Sequence, residues 1–364
     1  MDNPFRPGFG ESPTVWAGRT PILENFSQAL GSPGSTGRSL LINGSRGIGK
    51  TALLNELEEV ALTHGWITLR APSHSGMIDK LVGHALPAAL SQHKDHSSPI
   101  VADSSITTPE PTHPINTPQV TKTLTSLLRE LAGAVTGVLI TVDEIQAANT
   151  QDLNRLATSI QDAIRDDLPV AFIGAGLTAG VAALLEHPGT TFLRRSLRYQ
   201  LAPLTNADSA RLVRETVAAS SKSITPEATN LLTERAYGYP YLIQLIGSFA
   251  WELSDTTIGI DEVTEATAQA IPIMGNQVHL PEVSALSHRQ VEFLQAMARV
   301  AEVDTASMKS ISEELGKPVT SLSTLRHALL GADLVRAPAW GMLQFRLPYF
   351  REFLLGPGGP LEVA

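Results

Sequence analysis

Residues 44–51 constrain this chain more than any other stretch. They read Gly-Ser-Arg-Gly-Ile-Gly-Lys-Thr and match the pattern G-x-x-x-x-G-K-[ST]. The apolar run 39–43 before them predicts a strand, and residues 52–60 after them predict an amphipathic helix. Glycines between a strand and a helix let backbone N–H groups point inward at phosphate oxygens, and the helix N-terminus adds the positive end of its dipole. The stretch therefore predicts a phosphate-binding loop.

The residues after this loop and after a second strand carry the predicted chemistry. Lys50 is expected to reach the β- and γ-phosphates of a nucleotide, and the Thr51 hydroxyl to hold Mg²⁺. The apolar run 138–142 ends in Asp143 and Glu144, as expected of a buried parallel strand with a functional carboxyl end. Asp143 would join the Mg²⁺ shell, and Glu144 would orient and polarise the attacking water. The alternatives are a Gly-rich turn capping a core helix, and an acid capping the helix that follows a strand.

Composition narrows the class of protein. The chain has 364 residues, 43% of them hydrophobic and 17% charged, which suits two or three globular domains. It contains no cysteine, which excludes disulfides, zinc–thiolate sites and cysteine catalysis. Since neither a signal-peptide pattern nor an apolar run of about 18 residues is present, we expect a cytoplasmic protein without a membrane segment. The net charge of -9 argues against a general electrostatic grip on nucleic acid.

Strands and helices alternate as far as residue 204. Further strands are predicted at 66–71, 169–176 and 198–204, and helices at 21–30, 76–90, 119–135 and 150–165. This alternation predicts an α/β fold with a parallel sheet and ligands at the carboxyl ends of its strands. Residues 91–117 are rich in Ser, Thr, Pro and His, and we expect a mobile loop or insertion there. Its histidines are interpreted as solvated rather than metal-binding, namely His93, His96 and His113.

The rest of the chain is predicted to be mainly helical. Helices are expected at 205–219, 225–237, 241–253 and 261–271, followed by a linker at 272–284. Helices at 286–298, 307–315 and 320–330 then precede strands at 333–337 and 342–347, an order that predicts a winged helix-turn-helix. The predicted domains are a core at 1–204, a helical lid at 205–275 and a winged-helix domain at 283–357.

Together these motifs resemble those of the AAA+/STAND-type P-loop ATPases, in a layout similar to that of origin-recognition-like ATPases. Residues 44–51 match the Walker A motif of these proteins, and Asp143-Glu144 match Walker B. Gly18-Arg19 resembles the N-terminal box that packs by the adenine. Gly238-Tyr239-Pro240 resembles the G-x-P element of the lid, whose proline approaches the base.

The resemblance implies ATP or ADP with Mg²⁺ as ligands, Lys50 and Glu144 as catalytic residues, and Thr51 and Asp143 as metal ligands. Arg194 or Arg195 resembles the arginine that touches the γ-phosphate, in cis or from a neighbouring subunit; the alternative is a pair of surface arginines. The strand ending at residue 176 lacks the usual polar sensor 1 residue, for which Thr178 is a poor substitute, and the lid lacks a clear sensor 2 arginine near Gly238. Both departures argue against fast hydrolysis but not against nucleotide binding. The implied nucleotide-binding residues are Arg19, Gly44, Ser45, Arg46, Gly47, Ile48, Gly49, Lys50, Thr51, Ala52 and Pro240.

The C-terminal domain leaves two interpretations open. Its candidate DNA contacts are Lys317, Ser321, Thr324 and Arg326, on or just before the helix 320–330. However, residues 282–364 contain 8 Lys and Arg against 9 Asp and Glu, so the domain lacks the positive balance typical of a DNA reader. Contact with a protein, or packing on the lid, is the alternative.

Three functions follow for the whole chain. The first is an Mg²⁺-dependent ATPase that acts as a nucleotide-driven switch coupled to the winged helix. The second is a DNA-binding, origin-recognition-like or regulatory protein. The third is a hydrolysis-poor scaffold that holds ADP or ATP and assembles, with itself or a protein partner, through its ATPase face.

Overall fold

The computed structural model describes residues 2–8, 10–74, 76–94, 101–103 and 123–356. The chain forms two compact units. The first, here called the sheet unit, consists of Arg19–Asn43 and Lys50–Leu201. The second, the helical unit, consists of Met1–Gly18, Gly44–Gly49 and Ala202–Ala364.

A six-stranded parallel sheet forms the centre of the sheet unit. Its strands are β1 Ser39–Asn43, β2 Ile67–Arg70, β3 Val101–Asp103, β4 Val138–Val142, β5 Val170–Gly176 and β6 Leu197–Gln200. Their order across the sheet is β3-β2-β4-β5-β1-β6, and every pairing is parallel. Both β4 and β5 are buried at every position, as expected of strands covered on two faces. The predicted α/β fold with a parallel sheet is confirmed.

Helices cover this sheet. They are α1 Thr20–Leu30, α2 Lys50–Thr63, α3 Met77–Lys80, α4 Leu86–Lys94, α5 Leu124–Ala134, α6 Thr150–Arg165 and α7 Thr178–Glu186. A π-helical turn at Leu81–Ala85 joins α3 to α4, so the predicted helix at 76–90 is present with one wider turn. Among the described residues, no helix has the length and apolar character needed to cross a bilayer.

The segment expected to be a loop or insertion at 91–117 contains regular structure. Helix α4 extends into it as far as Lys94, and β3 pairs with β2 at the edge of the sheet. The expectation of a loop is therefore wrong at residues 91–94 and 101–103, where the short apolar pair Val101-Ala102 is enough to form an edge strand. His96, His113 and the other residues at 95–100 and 104–117 lie outside the described residues.

The helical unit contains five helices that follow the sheet. They are α8 Asn206–Ala218, α9 Pro226–Ala236, α10 Pro240–Leu253, α11 Ile260–Met274 and α12 Leu280–Ser284, with a parallel pair β7 Ser223–Ile224 and β8 Thr257–Ile258. The Thr205 and Thr225 side chains accept hydrogen bonds from backbone N–H groups in the first turns of α8 and α9. The two predicted helices therefore begin where expected, each capped by its threonine.

The predicted linker at 272–284 is wrong, because this segment is helical. Helix α11 continues through Pro272 to Met274, a π-helical turn follows at Gly275–His279, and α12 comes directly after it. Met274, Val278 and Val283 are buried. Burial of this apolar face stabilises the helix in spite of the donor that proline lacks.

The C-terminal part of the helical unit combines helices with a small antiparallel sheet. Its elements are α13 His288–Val300, β9 Thr305–Ser307, α14 Met308–Leu315, α15 Ser323–Gly331, β10 Val335–Arg336, β11 Met342–Phe345 and α16 Phe350–Leu355. The strand order is β10-β11-β9. The predicted helices and strands are present. β9 and α16 were not predicted, since three and six residues are too few for a clear periodic signal.

Candidate functional site

The predicted phosphate-binding loop is divided between the two units. Gly44–Gly49 belong to the helical unit, and Lys50 begins α2 of the sheet unit. Gly47 and Gly49 have φ values of 78° and 92°, a backbone conformation that other residues rarely adopt. The shape of the loop therefore favours glycine at 47 and 49, and Gly49 is one of the two glycines that the motif fixes.

Thr51 and Asp143 lie side by side in the sheet unit. The Thr51 hydroxyl donates to Asp143 Oδ2 at 2.6 Å, which joins the first turn of α2 to the residue after β4. The Glu144 N–H donates to Asp143 Oδ1 at 2.8 Å, so each carboxylate oxygen has a donor. A hydroxyl and a carboxylate are oxygen ligands of the kind that Mg²⁺ prefers. The structure thus brings together the two residues predicted to hold the metal.

Glu144 is held by a residue that the sequence analysis missed. Its backbone is left-handed, with φ 48°, and it precedes a short 3-10 turn at Ile145–Ala147. The Gln146 side-chain amide donates to Glu144 Oε2 and accepts from the Leu177 N–H at 3.1 Å. Gln146 therefore connects the Glu144 carboxylate to the carboxyl end of β5, where the sequence lacks a polar sensor residue.

Two glycines make room for Gln146. A Cβ atom placed on Gly176 would lie 2.3 Å from Gln146 Oε1, and one on Gly180 would lie 2.4 Å from Gln146 Cβ. Gly176 and Gly180 thus leave the space that this side chain occupies, and their spacing is the signal in the sequence that could have pointed to it. Thr178, the residue considered for sensor 1, is the first residue of α7.

The Gly238-Tyr239-Pro240 element forms a tight corner between α9 and α10 in the helical unit. Gly238 has φ 70°, and its carbonyl accepts from the Leu204 N–H at 2.7 Å. A Cβ atom on Gly238 would lie 2.2 Å from the Leu204 carbonyl oxygen, so no other residue fits this corner without a backbone shift. Pro240 is the first residue of α10, a position that suits its fixed φ, and its Cβ lies 4.0 Å from a Cβ placed on Gly49.

Tyr239 packs against the phosphate-binding loop. Its side chain is 1% exposed, and its hydroxyl donates to the Arg46 carbonyl, with Ser45 Oγ at 3.3 Å. Burial raises the pKa of Tyr239 well above its usual value, so the hydroxyl remains protonated and can donate. The G-x-P motif gives no hint of this contact, because the middle position of the motif is unspecified.

Arg46 in the loop also faces an acid from the segment expected to be a linker. Its Nε lies 3.6 Å from Glu282 Oε1, and Glu282 lies on α12. This distance makes the contact an ion pair rather than a hydrogen bond. This pair was not predicted, because residues 280–284 were expected to belong to a linker and not to a helix.

The N-terminal box is positioned by backbone geometry. Gly18 has φ 69°, and a Cβ there would lie 2.8 Å from Leu204 Cδ2 within the helical unit. Arg19, the first residue of the sheet unit, precedes α1, and its carbonyl accepts from the Ile22 N–H at 3.0 Å. Arg19 is therefore placed at the start of a helix by the glycine turn before it.

The two candidate arginines differ in their contacts. Arg194 Nε donates to the Leu185 carbonyl at 2.6 Å, and its guanidinium also donates to the Glu186 carbonyl at 3.3 Å. These carbonyls lie at the carboxyl end of α7, where an arginine stabilises the helix dipole. Both arginines are exposed. The two therefore differ in that the Arg194 guanidinium is bonded to the end of α7.

The candidate DNA contacts are spread around the start of α15. Lys317 pairs with Glu292 at 3.0 Å, and the Ser321 hydroxyl donates to the Pro318 carbonyl at 2.7 Å. Thr324 is exposed, and Arg326 is partly buried. Since Lys317 is neutralised by an acid, the arrangement adds little to the case for a positively charged DNA-binding face.

Two parts of the chain match known sequence families. Residues 15–173 match the AAA ATPase domain family, and residues 276–354 match a domain family of unknown function, DUF8462. Residues 15–173 are thus similar to AAA ATPase domains. The matched stretch includes the loop 44–51, Asp143 and Glu144. No curated protein sequence matches the chain significantly.

Solved structures share the fold of this chain. The Aeropyrum pernix ORC2 protein, solved as ADPNP and ADP complexes, is 13% identical with a TM-score of 0.64, over 93% of this chain and 92% of that one. A Walker-type ATPase of Pyrococcus abyssi is 14% identical with a TM-score of 0.62, over 93% of this chain and 95% of that one. The predicted AAA+ P-loop ATPase fold is confirmed, whereas the winged-helix interpretation stays a prediction.

Proposed function

We propose that this protein is an Mg²⁺-dependent ATPase that works as a nucleotide-driven switch. The observation that carries the proposal is the 2.6 Å contact between the Thr51 hydroxyl and the Asp143 carboxylate, directly after the phosphate-binding loop. The AAA ATPase domain at 15–173 supports nucleotide binding. ATP and ADP are the ligands proposed for the loop, with Mg²⁺.

Thr51 and Asp143 fit an Mg²⁺ ion that is shared with phosphate oxygens. Mg²⁺ commonly takes one or two protein oxygens and completes its shell with phosphates and water. Among the described residues, no group of three or more His, Asp and Glu side chains forms an all-protein metal site. When bound, the ion would neutralise charge on the phosphates, and Lys50 would add a second positive charge from the protein.

Glu144 would orient the water that attacks the γ-phosphate. The Gln146 amide holds the Glu144 carboxylate through a hydrogen bond and leaves its charge intact. A residue that orients water has to be fixed without being neutralised, and this contact meets both needs. Catalysis would then depend mainly on positioning and charge stabilisation.

Arg195 is the better candidate of the two for contact with a γ-phosphate, from the same chain or a neighbouring one. Both arginines are exposed, but Arg194 already donates to the carbonyls at the end of α7. We therefore expect Arg195→Ala to lower turnover and Arg194→Ala mainly to lower stability. A dependence of turnover on protein concentration, lost in Arg195→Ala, would indicate that the arginine acts between subunits.

The switch would act through a core at 1–204, a lid at 205–275 and a winged-helix domain at 283–357. Within the helical unit, the Tyr237 and Tyr349 rings meet edge to face at 5.6 Å, just before the Gly238 corner and at the start of α16. This contact supports coupling between the corner and the C-terminal domain. The Lys317–Glu292 pair weakens the DNA-binding alternative.

Nucleotide binding and turnover test the proposal. Wild type is expected to bind ATP and ADP and to hydrolyse ATP only with Mg²⁺, and Lys50→Ala is expected to lose both activities. Lys309→Ala removes an exposed lysine of α14 and serves as the matched control. Equal nucleotide binding by wild type and Lys50→Ala would refute the proposal. Tightly bound ADP without turnover would instead favour the scaffold.

A further inference from the structure

Two consecutive peptide groups of the phosphate-binding loop are held by the corner that begins α10. The Tyr239 hydroxyl donates to the Arg46 carbonyl, and the Tyr241 N–H donates to the Gly47 carbonyl at 3.2 Å. All four residues belong to the helical unit. One of these bonds comes from a side chain and can therefore be removed by substitution.

Planarity of the peptide group gives these bonds a consequence for phosphate binding. In a trans peptide, the C=O and the following N–H point in opposite directions. Since the Arg46 carbonyl points at Tyr239, the Gly47 N–H points away from it. The bond from Tyr241 likewise turns the Ile48 N–H away from the start of α10. A phosphate-binding loop depends on the direction of such N–H groups.

We propose that Tyr239 is a positioning residue for nucleotide binding, whose hydroxyl sets the orientation of the peptide between Arg46 and Gly47. The inference rests on the proposed function, because it requires that nucleotide binds to this loop. Tyr239 acts through the peptide and not by direct contact with the phosphates.

Close packing supports this role. A Cβ atom placed on Gly47 would lie 3.0 Å from Tyr239 Cε1 and 3.2 Å from Tyr241 Cβ, so the loop lies directly against both residues. Because Tyr239 is 1% exposed, its hydroxyl has little access to water as an alternative partner. The hydrogen bond to the loop is therefore the main way to satisfy this buried donor.

Tyr239 is itself held in place by the residue before it. Gly238 has φ 70° and is bonded to Leu204 at 2.7 Å, which fixes the direction in which the chain enters α10. The side chain at position 239 is thereby aimed at the loop before any ligand arrives. Such preorganisation lowers the cost of ordering the loop on binding.

The Tyr239→Phe variant tests the proposal, because it removes the hydroxyl and keeps the ring. Binding of ADP carrying a methylanthraniloyl fluorophore is measured by equilibrium titration and by stopped-flow displacement. We expect Kd to rise about tenfold, mainly through faster dissociation, as befits the loss of one buried hydrogen bond.

Tyr349→Phe is the matched control. It removes a hydroxyl that also donates to a backbone carbonyl of the helical unit, that of Arg235 at 2.9 Å, but away from the loop. Its Kd is expected to stay within about twofold of wild type. The rise in Tm caused by ADP is measured in the same samples, because it reports binding even where a variant is less stable on its own.

The outcomes separate this inference from the proposed function. If wild type binds ADP, Lys50→Ala does not, and Tyr239→Phe matches wild type, the role of Tyr239 is refuted and the proposed function stands. An equal loss in Tyr349→Phe would also refute it, because the effect would then reflect the helical unit in general. If wild type binds no nucleotide, both proposals fail.

Discussion

The phosphate-binding loop and the Walker B corner are supported in opposite ways. At the Walker B corner, formed by Thr51, Asp143, Glu144 and Gln146, side chains hold one another across neighbouring elements of the sheet unit. In the loop, backbone carbonyls accept hydrogen bonds from Tyr239 and Tyr241, which belong to the same helical unit. Substitutions at the Walker B corner should therefore lower the rate of hydrolysis, and substitutions that disturb the loop should weaken nucleotide binding.

The largest effect is expected from Glu144→Gln, which tests the chemical side of this comparison. Loss of the carboxylate charge should lower kcat by about 10²–10⁴-fold, the usual contribution of a positioned acid or base. Nucleotide Kd should stay unchanged, because the loop and its supports are intact. Steady-state hydrolysis and ADP titration check both parts, with Glu186→Gln on the surface of α7 as the control. Unchanged turnover would remove Glu144 from the mechanism.

Local patterns in the sequence were enough to predict much of this site. The strand before the loop was predicted at its observed bounds, Ser39–Asn43, because an apolar run next to a glycine motif is a local signal. Asp143 and Glu144 were found in the same way, as acids after an apolar run. The helix starts at Thr205 and Thr225 were predicted because the signals that begin a helix lie within one turn.

The missing parts depend on which elements lie side by side. Gln146 meets Leu177 because β4 and β5 are neighbours in the sheet, and the order of strands cannot be derived from periodicity. Glu282 was missed because Pro272 and Gly275 are local signals for a break, whereas burial of Met274 and Val278 is decided by tertiary packing.

The Gly238→Ala substitution should disturb the corner between α9 and α10 that positions Tyr239 against the loop. An alanine there must adopt φ 70° and place its Cβ 2.2 Å from the Leu204 carbonyl oxygen. We expect a loss of about 2–4 kcal/mol in the free energy of unfolding, from backbone strain and steric displacement together. Gly316→Ala is the control, since Gly316 has φ 61° but open space around it, and about 1 kcal/mol is expected. Chemical denaturation measures both, and equal losses would contradict the steric argument.

Acid should weaken the same unit through His279. This residue precedes α12, which carries Glu282, and its ring packs against those of Phe350 and Phe353 at 5.2 Å from each. Burial lowers the pKa of His279 from 6.5 to about 4. Between these values the unfolded chain binds a proton that the folded chain does not, so stability falls as pH falls from 6.5 towards 4.

The expected size of this effect is about 2 kcal/mol at pH 5 relative to pH 7.5. Denaturation at the two pH values measures it in wild type and in His279→Leu. The variant should lose that part of the pH dependence, whatever its stability at pH 7.5. An unchanged difference between the two pH values would show that other groups cause it.

Gln146→Ala gives the smallest effect and the sharpest comparison. The variant leaves Glu144 charged but removes the amide that holds it, so we expect kcat to fall about tenfold, or 1.4 kcal/mol in the barrier. ADP affinity should not change, because Gln146 contacts Glu144 and Leu177 in the sheet unit. Gln151→Ala, at an exposed position in α6, is the control. If Gln146→Ala weakened ADP binding, side chains of the sheet unit would also shape the loop. If Tyr239→Phe lowered kcat and left ADP affinity unchanged, Tyr239 would serve the chemical step. Either result would contradict the division between chemistry and affinity.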